Sequence, residues 1–109
     1  MGLLANLLLR GGADKDADIA ELVGEGALVV DTRTAREYAG GSIEGAVNIP
    51  FNTIARDIGQ HKTDKSRPIV VFCHSGARSG TAKKYLQQAG YTNVVNGGSI
   101  GHMRRQLGK

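Results

Sequence analysis

The chain has 109 residues, a formal net charge of +4, 40% hydrophobic residues and 22% charged residues, which is typical of one globular domain. Its basic residues are dispersed and only 5% of its residues are aromatic, so we expect no nucleic-acid partner. The single cysteine, Cys73, excludes an intramolecular disulfide framework and fits a reducing compartment.

The first twelve residues are predicted to form an apolar segment, a short helix or extension, outside a domain of residues 13–109. The run Leu3–Leu9 is too short to span a bilayer, and no basic segment precedes it. Asn6 stands where a myristoylation signal needs Ser or Thr. We therefore expect a cytoplasmic protein without stable membrane insertion, whose apolar segment packs on the domain or on a partner.

The next elements alternate between helix and strand. Residues 16–23 have helical spacing of apolar side chains, and 27–30 is a continuous apolar run that predicts a strand buried on both faces. Asp31 lies at the carboxyl end of that strand. Thr34 and Glu37 match a capping box, which predicts that a short helix begins there.

A second short strand is predicted at 46–49, where Pro50 ends it. Asn52 or Thr53 can cap a helix that continues to about Ile58. A polar connection then follows.

Residues 68–72 form the most apolar strand of the chain and lead directly into Cys73. A helix is predicted over 79–89, with Gly90 just beyond its end. Residues 93–96 predict another strand, Gly97-Gly98 a turn, and 100–107 a last helix. This alternation indicates an α/β domain with a mainly parallel sheet.

The segment after Cys73 carries the features of a reactive site. Ligands of α/β domains bind beyond the carboxyl ends of the strands, and a helix N-terminus there favours an anion. A thiolate in this position has a lowered pKa. Small residues, Ser75 to Ala77, let backbone N–H groups turn inward, and Arg78 adds a permanent charge. Cys73 is therefore predicted to be a catalytic nucleophile rather than an inert buried thiol.

Metal and cofactor chemistry is not expected. Cys73 and the three histidines, His61, His74 and His102, show no ligand spacing. His74 could tune the thiolate, bind substrate or be merely exposed on the loop.

Ordered segments along nearly the whole chain carry a family resemblance. They are Val29 to Arg33, Glu37-Tyr38, Gly41 to Pro50, Ile69 to Ser79, Gly90-Tyr91 and Val94 to Gly98. On these segments the chain resembles the single-domain rhodanese-like proteins and is similar to the small thiosulfate sulfurtransferases.

The resemblance implies a three-layer α/β/α fold with a small, mainly parallel central sheet. It implies that Cys73 takes sulfur from an anionic donor such as thiosulfate, carries it as a persulfide, and passes it to cyanide or a thiol. The substrate-binding residues would be His74, Ser75, Gly76, Ala77, Arg78 and Ser79. Arg78 would hold the thiosulfate oxygens.

Asp31 and Arg33 match the Asp-x-Arg element of that family. The resemblance implies that they hold neighbouring loops together behind the reactive residues. An ordinary surface pair at a strand end is the alternative.

The chain departs from the family pattern at three places. Ser42 stands where many members have histidine, which we expect to matter little. His74 stands where arginine is frequent, so the preference for thiosulfate is expected to be weaker. The last helix lacks the common tryptophan, so its packing must differ.

Two rival functions are weighed against sulfur transfer. Cysteine phosphatases and arsenate reductases use a similar loop with five residues between Cys and Arg, whereas only His74 to Ala77 separate Cys73 from Arg78. The tighter loop favours a single sulfur atom. A sulfur-relay or interaction module, which hands persulfide sulfur to a partner protein that docks on Leu3–Leu9, is the other alternative.

Overall fold

A computed structural model describes residues 13–15 and 17–109 of the chain. The predictions for the apolar segment 1–12, including its docking role, and for Asp16 lie outside the described residues. Within the described residues, no helix is long and apolar enough to cross a membrane.

The centre of the molecule is a four-stranded sheet in which every pairing is parallel, in the order β2-β1-β3-β4. The strands are β1 (Leu28–Asp31), β2 (Val47–Asn48), β3 (Ile69–Cys73) and β4 (Val94–Ser99). All four carboxyl ends meet at one edge of the sheet because the strands are parallel. That edge brings Asp31 opposite Phe72, and Cys73 opposite Ser99.

Helices connect the strands. They are α1 (Ile19–Gly24), α2 (Ala35–Ala39), α3 (Ile54–Asp57), α4 (Ala77–Gln88) and α5 (Ile100–Leu107), and 3-10 turns at Phe51–Thr53 and Ile58–His61 flank α3. The limits of α5 agree with the prediction. The capping box is also confirmed, because Thr34 Oγ1 accepts from the Glu37 N–H and Glu37 Oε1 accepts from the Thr34 N–H.

Two hydrophobic clusters cover the two faces of the sheet. Val30 and Val71 belong to the first, with Ile54 and Leu86 from the helices. The second contains Val29, Val70 and Phe72 of the sheet together with Ile19 of α1 and Met103 of α5. Every residue of β3 is buried, as the apolar run predicts for a central parallel strand. The predicted three-layer α/β/α architecture is confirmed.

The prediction of a turn at Gly97-Gly98 is wrong. Both glycines belong to β4, which continues to Ser99. The register shifts between Val71 and Phe72, so that Phe72 pairs with Gly98. The helix α5 explains the need for Gly97: a Cβ there would lie 2.5 Å from Met103 Sδ. Glycine is thus selected by close packing, which a sequence pattern does not separate from a turn.

The helix α3 begins at Ile54 with Thr53 at the N-cap position, which is one of the two predicted starts. Among the described residues no side chain caps it, because the Thr53 hydroxyl donates instead to the Pro50 carbonyl. The predicted start of the next helix is corrected. The helix α4 begins at Ala77, two residues before the predicted Ser79, because Gly76 already turns the chain into the helix. The connection from Cys73 to α4 is therefore very short.

Candidate active site

The Cys73 thiol lies where β3 ends and is fully buried. Donors from Gly76 and Ser79 surround its sulfur. The Gly76 N–H lies 2.9 Å from Sγ, and the N–H and the hydroxyl of Ser79 each lie 3.4 Å away. A buried sulfur that meets several converging donors is arranged to hold negative charge.

Gly76 makes this arrangement possible. It has a φ of +98°, in the left-handed region, and stands at the N-cap position of α4, where glycine carries no Cβ penalty. The turn directs its N–H onto Cys73, while the first turn of α4 supplies the Ser79 N–H. The positive end of the α4 dipole therefore faces the sulfur.

The donors outweigh the effect of burial on the thiol. Burial by itself would raise the pKa of Cys73, but hydrogen bonds from the Ser79 hydroxyl and from the N–H groups of Ser79, Gly76 and Ser75 lower it below its ordinary value. Cys73 is thus a stronger nucleophile at neutral pH than an ordinary buried thiol, because the thiolate is the attacking species.

The predicted substrate-binding residues occupy different depths in the loop. His74, Ser75 and Ala77 are exposed, Arg78 is half-buried, and Gly76 and Ser79 are buried. The buried pair contacts Cys73 Sγ directly. The exposed residues form the outer part of the loop, and their role in binding substrate stays a prediction.

Arg78 does not stand free at the rim. Its Nη1 and Nη2 donate to Glu37 Oε1 and Oε2 at 2.7 Å and 3.0 Å. The pair is about one-third exposed on each side. It fixes the direction of the guanidinium beside the loop, and binding of substrate oxygens by Arg78 stays a prediction.

Asp31 and Arg33 form a buried pair, not a surface one. Arg33 Nη2 donates to Asp31 Oδ2 at 2.8 Å and to the Gly41 carbonyl at 2.7 Å, and the Ser42 hydroxyl donates to the same Asp31 oxygen. Asn48 Nδ2 donates to the Asp31 and Arg33 carbonyls. The cluster ties the loop after β1 to Gly41 and Ser42, and the role of the pair in holding the reactive loop stays a prediction.

Sequence analysis missed two residues that contact the loop. Glu37 was identified only as a helix cap, and its partnership with Arg78 depends on how two distant helices meet. Asn96 was not identified, although it is buried in β4 and hydrogen-bonds to Ser79 and Gly76. A signal existed, because an asparagine within an apolar strand is unusual and needs buried partners.

Known proteins resemble the chain in both sequence and fold. A family model described as a rhodanese-like domain matches residues 15–99. The chain is 42% identical over 85 residues to a sulfurtransferase of Allochromatium vinosum, which covers 76% of this chain and 78% of that protein. It is 35% identical over 71 residues to the thiosulfate sulfurtransferase PspE of Escherichia coli K12, with 65% of this chain and 68% of that protein covered.

Among solved structures, a rhodanese from E. coli described with anions superposes with a TM-score of 0.67 at 33% identity, over 70% of this chain and 89% of that one. A parallel α/β domain whose buried cysteine lies at a strand end, facing hydrogen-bond donors from the following helix, is the class that fold and site define. The chain belongs to the rhodanese-like domain family. The predicted family and the sulfurtransferase class are confirmed.

Proposed function

We propose that this protein is a thiosulfate sulfurtransferase that carries sulfane sulfur on Cys73. The observation that carries the proposal is the set of N–H and O–H donors that converge on one buried sulfur atom. The names of the sulfurtransferases that it resembles support the same chemistry.

In the first step the Cys73 thiolate attacks the outer sulfur of thiosulfate. A new S–S bond forms to Cys73, the S–S bond of thiosulfate breaks, and its electron pair leaves with sulfite. The product is an anionic persulfide, and charge is conserved because the thiolate charge passes to the outer sulfur. Backbone N–H groups that are already oriented toward Sγ stabilise the attacking thiolate without reorganisation.

In the second step an acceptor attacks the outer sulfur of the persulfide. Cyanide would leave as thiocyanate, and a thiolate would leave as a persulfide of its own, and in both cases Cys73 returns as the thiolate. The lowered pKa of Cys73 favours this step too, since a thiol of lower pKa is a better leaving group. One lowered pKa thus serves both halves of the cycle.

The length of the loop supports a sulfur atom as the group bound. His74 to Ala77 separate Cys73 from Arg78, and α4 begins within this span. Few N–H groups are left to surround an anion, which suits a compact charge. A phosphoryl group would need a wider loop.

Arg78 and His74 are the groups proposed to meet the sulfonate oxygens of thiosulfate. Arg78 lies in the first turn of α4 with its guanidinium fixed by Glu37. His74 is exposed next to Cys73. Arg78 supplies a permanent cation for the thiosulfate dianion, and His74 supplies hydrogen-bond donors.

The test is the mass of the intact protein after incubation with thiosulfate under non-reducing conditions. We expect a gain of one sulfur atom, its removal by cyanide with release of thiocyanate, and no gain in the Cys73→Ser variant. Because Cys73 is the only cysteine, an adduct that persists in Cys73→Ser would overturn the proposal. Hydrolysis of a phosphate ester without any sulfur adduct would overturn it in favour of a phosphatase.

A further inference from the structure

The Ser79 hydroxyl has one proton and three acceptors within reach. Its oxygen lies 2.8 Å from Asn96 Oδ1, 3.0 Å from the Gly76 carbonyl oxygen and 3.4 Å from Cys73 Sγ. A hydroxyl gives one full hydrogen bond at a time, so these acceptors compete for it. The shortest contact is to Asn96 and not to the sulfur.

Among the described residues, one orientation of the Asn96 amide satisfies its neighbours. The Gly98 N–H lies 2.9 Å from one end of the amide, which must therefore be the oxygen, and the other end donates to the Gly76 carbonyl at 3.2 Å. Asn96 is buried, at 3% exposure. Its Oδ1 is thus a fixed acceptor directed at Ser79.

The acceptor that receives the Ser79 hydrogen bond depends on whether the Cys73 sulfur is neutral or charged. A neutral thiol is a weak acceptor, so the Ser79 proton belongs on the amide oxygen when Cys73 is protonated. A thiolate is a charged acceptor and draws the proton to itself. The Ser79 and Asn96 oxygens then face each other at 2.8 Å without a proton between them, which is unfavourable.

We propose that Asn96 is a positioning residue for the catalytic cysteine, which holds the Ser79 hydroxyl while Sγ is uncharged and releases it to the thiolate. The inference deepens the proposed function, on which it rests for its meaning in the cycle. When the persulfide forms, the charge passes to the outer sulfur and Sγ becomes uncharged. The hydroxyl then has Asn96 to return to, so no buried donor is left without an acceptor.

The proposal predicts that loss of the Asn96 amide lowers the thiol pKa of Cys73. A merely structural role for Asn96 predicts that the same loss raises it. Leucine at position 96 has a branched end of amide-like shape but accepts no hydrogen bond. In Asn96→Leu the Ser79 hydroxyl has lost its shortest oxygen acceptor and keeps only the Gly76 carbonyl as an alternative to sulfur. It therefore donates to sulfur more often, which lowers the thiol pKa. Loosening of the loop would move the N–H donors away and raise it.

The experiment measures the pH dependence of iodoacetamide alkylation of the whole chain, which reads Cys73 alone. In Asn96→Leu we expect alkylation at a pH below the thiol pKa to be roughly threefold to tenfold faster, from a pKa lower by about half a unit to one unit. The titratable and charged groups around the loop and Asn96 stay the same in all variants; they are His74, Arg78, Glu37, Asp31, Arg33, Asp14 and Lys83.

The link through Ser79 is tested by repeating the substitution in a Ser79→Ala background, where the effect should vanish. Ser79→Thr, which keeps the hydroxyl, should restore it. An unchanged or raised thiol pKa in Asn96→Leu, or an equal shift without the Ser79 hydroxyl, would overturn the proposal.

Two further variants guard the result. Asn96→Ala removes the same acceptor with a smaller side chain and should shift the pKa in the same direction if Asn96→Leu does not fold. Asn48→Leu removes another asparagine amide that donates to two carbonyls and should leave the thiol pKa unchanged. Persulfide formation by the wild type is scored separately, so failure of the sulfurtransferase proposal is distinguishable from failure of this one.

Discussion

The Glu37 carboxylate caps α2 and also accepts hydrogen bonds from the Arg78 guanidinium of α4. Its Oε1 accepts from the Thr34 N–H at 3.1 Å and from Arg78 Nη1 at 2.7 Å. The two helices follow different strands, and their N-termini face the edge of the sheet where Cys73 lies. The pair therefore fixes the start of α4, on which the donors to the thiol depend.

The first prediction concerns acid stability. The Arg78 hydrogen bond, followed by that from the Thr34 backbone, lowers the pKa of Glu37 to about 2 from an ordinary value of 4.5. A pKa that is lower in the folded state gives stability that is present above the unfolded pKa and is lost as pH falls toward the folded one. The difference in Tm between wild type and Glu37→Gln should therefore shrink as pH falls from about 4.5 to about 2.

Thermal unfolding in a buffer series measures this difference. Arg78→Gln serves as the matched variant, because it removes the other half of the pair and should narrow the same pH window. A gap between wild type and Glu37→Gln that stays constant down to about pH 2 would show that the ion pair does not cause it.

The second prediction concerns the exposed loop residue beside the nucleophile. His74→Arg places a permanent cation at an exposed position next to Cys73, where we propose that the thiosulfate dianion approaches. The site is exposed and an exposed charge contributes up to about 1 kcal/mol, so the KM for thiosulfate should fall by roughly twofold to fivefold. The measurement is steady-state kinetics at two ionic strengths, with Lys84→Gln as a distant charge control on α4.

The gain should decrease in high salt, because screening weakens exposed charges. A KM that is unchanged at low ionic strength would show that position 74 does not face the donor. A fall in KM that is insensitive to salt would point to a hydrogen bond instead of charge.

The fold was predictable from sequence wherever a local pattern determines structure. The run Ile69 to Phe72 needed burial on both faces, and Thr34 with Glu37 needed a helix start, and the structure has both. The predicted turn at Gly97 is wrong because, in sequence, a glycine needed for close packing looks the same as a glycine needed for a turn. The difference is made by Met103, which reaches Gly97 only after the chain has folded.

The residues of the site also fall into those that a local sequence pattern predicts and those that it does not. Cys73, Gly76 and Ser79 were predictable because a strand end, a small-residue loop and a helix start are adjacent in sequence. Asn96 comes from another strand, and no local pattern states that its amide meets Ser79. Contacts between distant segments depend on register, and the register shift at Gly98 is part of what brings them together.

The third prediction concerns the buried pair below the loops. Asp31→Asn leaves the Arg33 guanidinium buried without its countercharge, since both side chains are almost inaccessible to solvent. Loss of one partner of such a pair costs about 3–5 kcal/mol of unfolding free energy. Urea unfolding measures the loss. Asp57→Asn is the matched control, because it removes the same group from a more solvent-exposed pair with Arg56, where a much smaller loss is expected.

An equal loss in the two aspartate variants would contradict the assignment of Asp31 and Arg33 as a buried structural cluster. Persulfide formation by Asp31→Asn, measured in the absence of urea, adds a second reading. If the pair only holds the loops after β1, folded Asp31→Asn should still take up one sulfur atom on Cys73.

The last prediction concerns the close contact between β4 and α5. A Cβ at position 97 would meet Met103 Sδ at 2.5 Å, Val70 Cγ1 at 3.0 Å and the Val71 carbonyl oxygen at 3.3 Å. Met103 is flexible enough to move, but Val70 and the backbone of β3 are fixed in the sheet. Gly97→Ala should therefore cost about 1–3 kcal/mol of unfolding free energy, as overpacking of a filled core does.

Gly59→Ala is the control, because a Cβ there meets no atom within 4 Å and the change should be neutral or stabilising by up to about 1 kcal/mol. Urea unfolding measures the unfolding free energies of the two variants. Equal values would mean that Gly97 is not packed as described. Because Asn96 precedes Gly97 in β4, a strand displaced by the extra methyl group should also disturb the Asn96–Ser79 contact. We therefore expect Gly97→Ala to change the alkylation rate of Cys73, whereas Gly59→Ala leaves it unchanged.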